Sequence, residues 1–132
     1  MARVTGIGGF FFRALDPEAL NRWYAELLDV VITPHTDDDP AWVQDRGETL
    51  FAACSVESEM FGPLAKSWTI HFRVDDLDAM TQRLRDAGVA VQSRGEAHPN
   101  GRFAELEDPE GNRIALWEPG AASRERDRQP GG

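Results

Sequence analysis

The sequence predicts an α+β fold made of two successive units, each with the order strand, helix, strand, strand, strand. Three observations lead to this prediction. The sequence shifted by sixty positions matches itself in order, so that Phe12 falls on Phe72 and Arg13 on Arg73. Each copy opens with an apolar, strand-like run that an amphipathic helix pattern follows. Three short strand candidates, separated by turn residues, come after each helix.

The first unit opens with a strand candidate over residues 8–13, which is rich in phenylalanine. A helix follows, because Asp16 supplies a capping carboxylate and Pro17 suits the first helical position. Apolar residues then recur at helical spacing as far as Leu28. The strands predicted after this helix cover residues 30–33, 41–44 and 49–54.

The second unit repeats this order. Its first strand is predicted over residues 68–74, where apolar and polar residues alternate. Either Asp75 or Asp76 is expected to cap the helix, and Gly88 stands where a left-handed C-terminal cap belongs. The remaining predicted strands cover residues 89–92, 102–106 and 113–117.

The chain is predicted to form one domain over residues 1–119. With 132 residues, 41% of them hydrophobic, it is long enough to bury roughly two-thirds of its extended surface. The first module covers about residues 5–58, the connector residues 59–66 and the second module about residues 67–119. The tail, residues 120–132, combines glycine, proline and mixed charge, so we expect little structure there.

Charge and composition limit the partners. The net charge is −9, which repels nucleic-acid phosphates and anionic lipid, so we expect neither a nucleic-acid nor a membrane partner. No apolar run approaches the roughly 20 residues that cross a bilayer. Cys54 is the single cysteine, which excludes an intrachain disulfide and is typical of a reducing compartment. We therefore expect a cytoplasmic protein.

Two stretches of sequence resemble a known family. They are Phe72-Arg-Val-Asp-Asp-Leu-Asp78 and Asp108-Pro-Glu-Gly-Asn-Arg-Ile-Ala-Leu-Trp-Glu118. Together with the duplicated unit, they resemble the vicinal oxygen chelate superfamily of glyoxalases, bleomycin-resistance proteins, fosfomycin-resistance enzymes and extradiol dioxygenases. The resemblance covers residues 6–119. It implies that the two units form a curved mixed sheet shaped as a cup, with the helices outside and a ligand inside.

The resemblance also implies where a metal would bind. Members that use a metal place His or Glu at four points lining the cup, and these points fall on Gly9, Phe51, Thr69 and Ala115. Three of these side chains have no donor atom, and a threonine hydroxyl alone binds a divalent metal weakly. We therefore predict no metal and no other cofactor, and no glyoxalase, dioxygenase or metal-dependent transferase reaction.

Strand alternation extends the lining that the resemblance implies, since residues two apart share a face. The resulting lining is aromatic with a few polar groups, which is typical of a small-molecule pocket. The predicted ligand-binding residues are Phe11, Arg13, Phe51, Thr69, His71, Phe103, Glu105, Arg113 and Trp117.

Two functions remain open. The first is a metal-independent binding protein, similar to the drug-sequestering resistance proteins, that holds a cationic or aromatic compound. The alternative is a metal-independent lyase, isomerase or transferase in which His71 and Glu105 exchange protons with the bound molecule, with Glu105 raising the pKa of His71. We expect a homodimer, because open sheet edges are usually paired or covered, either within one chain or between chains.

Three further features receive no catalytic role. His35 and His98 stand beside prolines, as in solvated loops, although they could form a lid over the cup. Asp37 to Asp39 is interpreted as a solvated turn, because it lacks the ligand spacing of a calcium loop. Cys54 has no neighbouring feature that would activate its thiol.

Overall fold

The computed structural model describes residues 2–32, 40–94 and 100–120. The sheet has four strands in the order β1-β4-β3-β2, with β1 parallel to β4 and the other two pairings antiparallel. The chain order of the second unit is therefore strand, helix and three strands, as predicted. The elements are α1 (Pro17–Leu28), a short 3₁₀ helix (Glu59–Phe61), β1 (Ile70–Arg73), α2 (Leu77–Asp86), β2 (Gln92–Ser93), β3 (Gly101–Glu107) and β4 (Arg113–Pro119).

Both helices begin where their capping residues indicate. The Asp16 carboxylate accepts a hydrogen bond from the backbone N–H of Ala19 at 3.1 Å, and Pro17 occupies the first helical position. The Asp76 carboxylate accepts from the N–H of Ala79 at 3.0 Å, so Asp76 rather than Asp75 caps α2. These bonds satisfy N–H groups that would otherwise lack a partner in the first turn.

The two helices pack on one face of the sheet. Alternate residues of β3 and β4 point toward them, since successive side chains of a strand lie on opposite faces. Leu84, Ile114 and Leu116 are fully buried there. The buried core consists of Leu20, Tyr24, Leu28, Leu77, Leu84, Val91, Ala104, Leu106, Ile114 and Leu116.

A buried aspartate joins α1 to the β3–β4 turn. Asp108 accepts a hydrogen bond from the Tyr24 hydroxyl at 2.7 Å. Its carboxylate also accepts from the backbone N–H groups of Glu110 and Asn112, at 2.9 and 3.0 Å, and from the Asn112 side chain at 2.8 Å. The Asp108-Pro-Glu-Gly-Asn112 turn is thus a structural anchor for the first helix.

Tyr24 is expected to make the fold sensitive to alkali. Burial raises the pKa of its phenol well above the ordinary 10.0, and the hydrogen bond and charge of Asp108 raise it further. Since the folded pKa exceeds the unfolded pKa, the stabilisation is complete below about pH 10 and is lost as the pH rises beyond it. Tyr24 is the only tyrosine, so phenolate absorbance reports on it alone.

Two measurements test this expectation: denaturant unfolding from about pH 8 to about pH 12, and the phenolate absorbance of the folded protein over the same range. Tyr24→Phe should cost about 1–2 kcal/mol at neutral pH, because it removes one buried hydrogen bond. Above about pH 10, the free energy of unfolding of Tyr24→Phe should fall less steeply with pH than that of the unmodified protein. A phenolate signal that appears near pH 10 in the folded protein would contradict the expectation.

The first unit differs from its prediction. Its helix is present, but residues 8–13, 30–32, 41–44 and 49–54 have no strand pairing within the described part of the chain. A strand exists only where a neighbouring backbone supplies hydrogen bonds, and no such neighbour lies beside these segments there. Large apolar side chains on them are exposed, such as Phe11 at 86% and Phe51 at 90%. Tandem βαβββ modules are therefore not confirmed.

Smaller differences concern the connecting segments. The connector contains the short 3₁₀ helix, and β2 begins later than predicted, at Gln92. Residue 33 and the tail from residue 121 onward lie outside the described residues. Among the helices described, none has both the length and the apolar character needed to span a membrane.

Candidate functional site

Seven side chains share the face of the sheet that points away from both helices, which we call the helix-free face. Strand register sets two rows across it. In one row His71 and Glu105 lie on either side of Ala115, and in the other Arg73 and Phe103 lie on either side of Trp117. The face is formed by His71, Arg73, Phe103, Glu105, Arg113, Ala115 and Trp117.

A stacked aromatic pair lies in the row of Trp117, toward one end of this face. The rings of Phe103 and Trp117 are nearly parallel, with an angle of 8° between their planes and 6.2 Å between their centroids. The indole Nε1–H of Trp117 donates to the Asn100 carbonyl at 2.7 Å, which fixes the orientation of the ring. Trp117 is 8% exposed, so it sits in a fixed place rather than on a mobile surface.

Glu105 is held by an arginine that the sequence analysis missed. Arg94 donates two hydrogen bonds to its carboxylate, at 3.1 and 2.9 Å. The backbone N–H of Arg94 also donates to the Phe103 carbonyl, so Arg94 extends the row that Phe103 and Trp117 form. Continuing the strand alternation past Gln92 would have identified this residue.

The imidazole of His71 has a pKa below its ordinary value of 6.5. Burial lowers the pKa of its imidazole and outweighs the attraction of Glu105, which acts in the opposite direction. Glu105 therefore does raise the pKa of His71, as hypothesised, but burial lowers this pKa by more, so the overall shift is downward. The two residues flank Ala115, so their backbones are two strand spacings apart, about 10 Å.

Arg73 holds a loop of the first unit beside the helix-free face. Its guanidinium donates to the carbonyls of Glu48 and Asp45, at 2.6 and 2.9 Å. It also packs directly on Gly47, where an added Cβ would lie 2.6 Å from the Arg73 Nε. Sequence alternation placed Arg73 on this face but did not indicate its partners, because they lie in a segment without regular structure.

The segment before α1 is anchored on the helix side of the sheet. The ring of Phe12 lies 4.9 Å from Trp68 and 6.2 Å from Tyr24, measured between centroids. Phe10 contacts Trp68 as well, at 5.3 Å. Tyr24 in turn contacts Phe72 of β1, at 6.0 Å. Phe12 thus packs against the core, whereas Phe10 is 45% exposed.

The neighbours of Phe12 are exposed. The ring of Phe11 lies over Gly9, so closely that a Cβ on Gly9 would be 2.7 Å from the ring. Phe11 and Arg13 are both exposed, and neither makes a hydrogen bond, ion pair or ring contact with the sheet in the described part of the chain.

The other predicted site residues are less closely associated. Phe51 is 90% exposed, and its segment has no described pairing with the sheet. The Thr69 hydroxyl donates to the Arg113 carbonyl at 2.9 Å, and Arg113 donates to the carbonyl of Glu59. His35, His98 and the acidic run from Asp37 to Asp39 lie outside the described residues.

The side chains at the four implied metal positions do not fit a metal ion. The space above Gly9 is taken by the ring of Phe11, and the Thr69 hydroxyl, which donates to the Arg113 carbonyl, offers a metal only one weakly binding oxygen. Phe51 and Ala115 carry no donor atom. Within residues 2–32, 40–94 and 100–120, no three His, Cys, Asp or Glu side chains form a group that could hold a metal.

The two best-defined depressions of the described surface lie beside α1. One, of about 340 Å³, lies between the start of α1 and the β3–β4 turn and includes Trp23 and Pro109. The other, of about 350 Å³, lies on the outer surface of α1 near Arg22. Neither includes a residue of the helix-free face.

Known proteins resemble the chain in sequence and in fold. A segment of 54 residues is 37% identical to the "Anthracycline biosynthesis protein DnrV" of Streptomyces peucetius. The match covers 40% of this chain and only a fifth of the length of that protein. TnmS3, an antibiotic binding protein from Streptomyces sp. CB03234, has a TM-score of 0.57 and 22% identity, covering 90% of this chain and 99% of that one.

A glyoxylase/bleomycin resistance protein/dioxygenase domain from Frankia sp. EAN1pec has a TM-score of 0.55 and 20% identity, covering 89% of this chain and 99% of that one. At these identities the two structures establish the fold alone. The family model described as "Glyoxalase-like domain" matches residues 9–117, which is most of the chain. The assignment to the vicinal oxygen chelate superfamily is confirmed, and the chain belongs to the glyoxalase-like domain family.

Proposed function

We propose that this protein binds an aromatic small molecule on its helix-free face, without a metal ion. The observation that carries the proposal is the stacked pair of Phe103 and Trp117, flanked in the neighbouring row by His71 and Glu105. Aromatic rings with a few polar groups beside them are the usual composition of a small-molecule site.

The geometry of the pair favours a planar ligand. Centroids 6.2 Å apart lie within the range of aromatic contacts, and a further ring can extend an offset stack. Trp117 is held by its bond to Asn100, so little side-chain entropy is lost when a ligand binds. Relatives named for antibiotic binding and anthracycline biosynthesis support this ligand class.

Independence from metal rests on the four positions that the family resemblance implies. A glycine covered by a phenylalanine ring, an exposed phenylalanine, an alanine and a hydrogen-bonded threonine provide no coordination polyhedron. Binding is therefore expected to be unchanged by a chelator.

Equilibrium dialysis against a panel of naphthalene and anthraquinone derivatives tests the proposal. We expect saturable binding that Trp117→Leu weakens about two- to tenfold, the equivalent of a stacking energy of about 0.5–1.5 kcal/mol. Phe103→Leu should act in the same direction. Trp42→Leu is the matched control, because Trp42 is 40% exposed and lies in the first unit. A folded protein that binds nothing in the panel would refute the proposal.

The second candidate is a metal-independent enzyme. It is favoured by the position of His71, an imidazole that can accept a proton when neutral, in the same row as Glu105. The dialysed compounds should then be chemically altered, and His71→Ala should stop the alteration while leaving affinity intact. Recovery of every bound compound unchanged would favour the binding role.

We propose a homodimer as the assembly. The β1 strand is at an edge of the sheet, and apolar side chains of the first unit are exposed, among them Leu15 at 97%. Monomers rarely expose so many apolar side chains, and a second copy would cover them. Light scattering is expected to give the mass of two chains, and the mass of one chain would exclude the dimer.

The charge and the cysteine bear on the partners and the compartment of the protein. The net charge of −9 supports a protein without nucleic-acid partners. The free thiol of Cys54 is exposed, which suits a reducing compartment such as the cytoplasm.

A further inference from the structure

The charged side chains of the helix-free face already have partners. Arg94, which extends one row of this face, donates two hydrogen bonds to the carboxylate of Glu105, at 3.1 and 2.9 Å. Arg113 donates to the carbonyl of Glu59 at 3.2 Å, and its guanidinium lies 3.9 Å from the carboxylate of Glu107. The two arginines and the two carboxylates therefore offset one another, and none of the four is left to neutralise a ligand charge.

Arg73, the remaining charged residue of the face, is engaged by a loop of the first unit. Its guanidinium donates to the carbonyls of Glu48 and Asp45 and to the Thr49 hydroxyl, at 2.6, 2.9 and 3.4 Å. An ionised ligand group that leaves water needs a counter-charge or free hydrogen-bond partners in place of its hydration. Neither an anion nor a cation finds them here, because each described charge of the face is already committed.

His71 is the polar side chain of the face that is left for a ligand. Its neighbours Ile70 and Phe72 pack against the core, so strand alternation directs the imidazole onto the helix-free face. The residue is exposed, and among the described residues it makes no hydrogen bond. Partial burial lowers the pKa of the imidazole, which favours the uncharged form, and this form can donate one hydrogen bond and accept another.

His71 lies one row away from the stacked pair. It faces Ala115 on β4, and Trp117 follows two residues later on the same strand. Residues two apart on one face are separated by about 7 Å along the strand, so a fused two- or three-ring system stacked beside Trp117 can reach His71. The ligand group at that point must exchange a hydrogen bond with an imidazole without carrying a charge, which a hydroxyl does.

We infer that the ligand is an uncharged planar phenol whose ring stacks beside Trp117 and whose hydroxyl is hydrogen-bonded to His71. This inference rests on the proposed function and specifies its ligand class. It differs from the cation that the net charge of −9 favours, because the carboxylate of Glu105 is held by an arginine and distant surface charges are screened beyond about 8–10 Å.

Three probes with one ring system test the charge of the ligand: 2-naphthol, 2-naphthoate and 2-naphthylmethylammonium. At about pH 7.5 the first is uncharged, because a phenol loses its proton near pH 10, whereas the other two are negative and positive. Calorimetry should show that 2-naphthol binds at least about tenfold more tightly than either charged probe, because the desolvation of their charges is not offset.

A fourth probe, 2-methylnaphthalene, tests the hydrogen bond to His71, because it keeps the ring and lacks the hydroxyl. His71→Leu should lower the ratio of the naphthol affinity to the methylnaphthalene affinity about two- to tenfold, the effect of one neutral hydrogen bond. His71→Gln is the matched variant, because it keeps a hydrogen-bonding group at this position and should retain most of the ratio. A change in folding alone affects both affinities equally and leaves their ratio unchanged.

A charged probe that binds as tightly as 2-naphthol, or a ratio that His71→Leu leaves unchanged, would overturn the inference. If that binding is still weakened by Trp117→Leu, the proposed function stands and only the ligand class is wrong. If no probe binds to the folded protein, the proposed function fails as well.

Discussion

Replacement of Asp108 by alanine is expected to lower the free energy of unfolding by about 3–5 kcal/mol. Asp108 is 4% exposed, and its carboxylate accepts four hydrogen bonds, one from Tyr24 and three from the turn that it starts. Its removal leaves a buried phenol hydroxyl without its acceptor, and this costs more than the net strength of the bond. The turn also loses the group that organises it.

The measurement is equilibrium denaturant unfolding at neutral pH. Asp75→Ala is the matched control, because Asp75 is exposed and lies between β1 and α2. It should change the stability by no more than about 0.5 kcal/mol, as surface substitutions usually do. If Asp108→Ala is as mild as Asp75→Ala, the carboxylate is not the anchor between α1 and the turn.

The features that sequence predicts well are those that short-range chemistry determines. The caps at Asp16 and Asp76 satisfy N–H groups within the same turn, so their signal is contained in a few residues. The alternation of β3 and β4 likewise assigns Phe103, Glu105 and Trp117 to one face, because the side-chain period of a strand is fixed.

The features that sequence did not predict depend on residues distant in the chain. The strands of the first unit require a neighbouring backbone, and an apolar pattern cannot say whether one is present. The contacts of Arg73 join β1 to a loop 25 residues away, at Glu48. The net pKa shift of His71 depends on how far burial outweighs Glu105, which only the packed structure reveals.

The position of Trp117 depends on a glycine, Gly101, that the strand pattern does not single out. Gly101 begins β3, is buried and has a φ of +123°, a region that residues with a Cβ rarely adopt. An added Cβ would overlap the carbonyl oxygen of Glu118, which is a backbone atom and cannot rotate away. It would also lie 2.9 Å from the Trp117 Nε1, which donates to Asn100.

Gly101→Ala should therefore lower the free energy of unfolding by about 3 kcal/mol or more, the combined cost of a strained φ and an overpacked contact. Gly6→Ala is the matched control, because a Cβ at Gly6 meets no atom within 4 Å. The folded fraction of Gly101→Ala should also bind aromatic ligands more weakly, since the indole is displaced from the stack with Phe103. Unfolding curves and 2-naphthol titrations of both variants measure the two effects. Wild-type stability in Gly101→Ala would show that β3 and β4 can separate at this end, whereas lost stability with unchanged affinity would place the ligand away from Trp117.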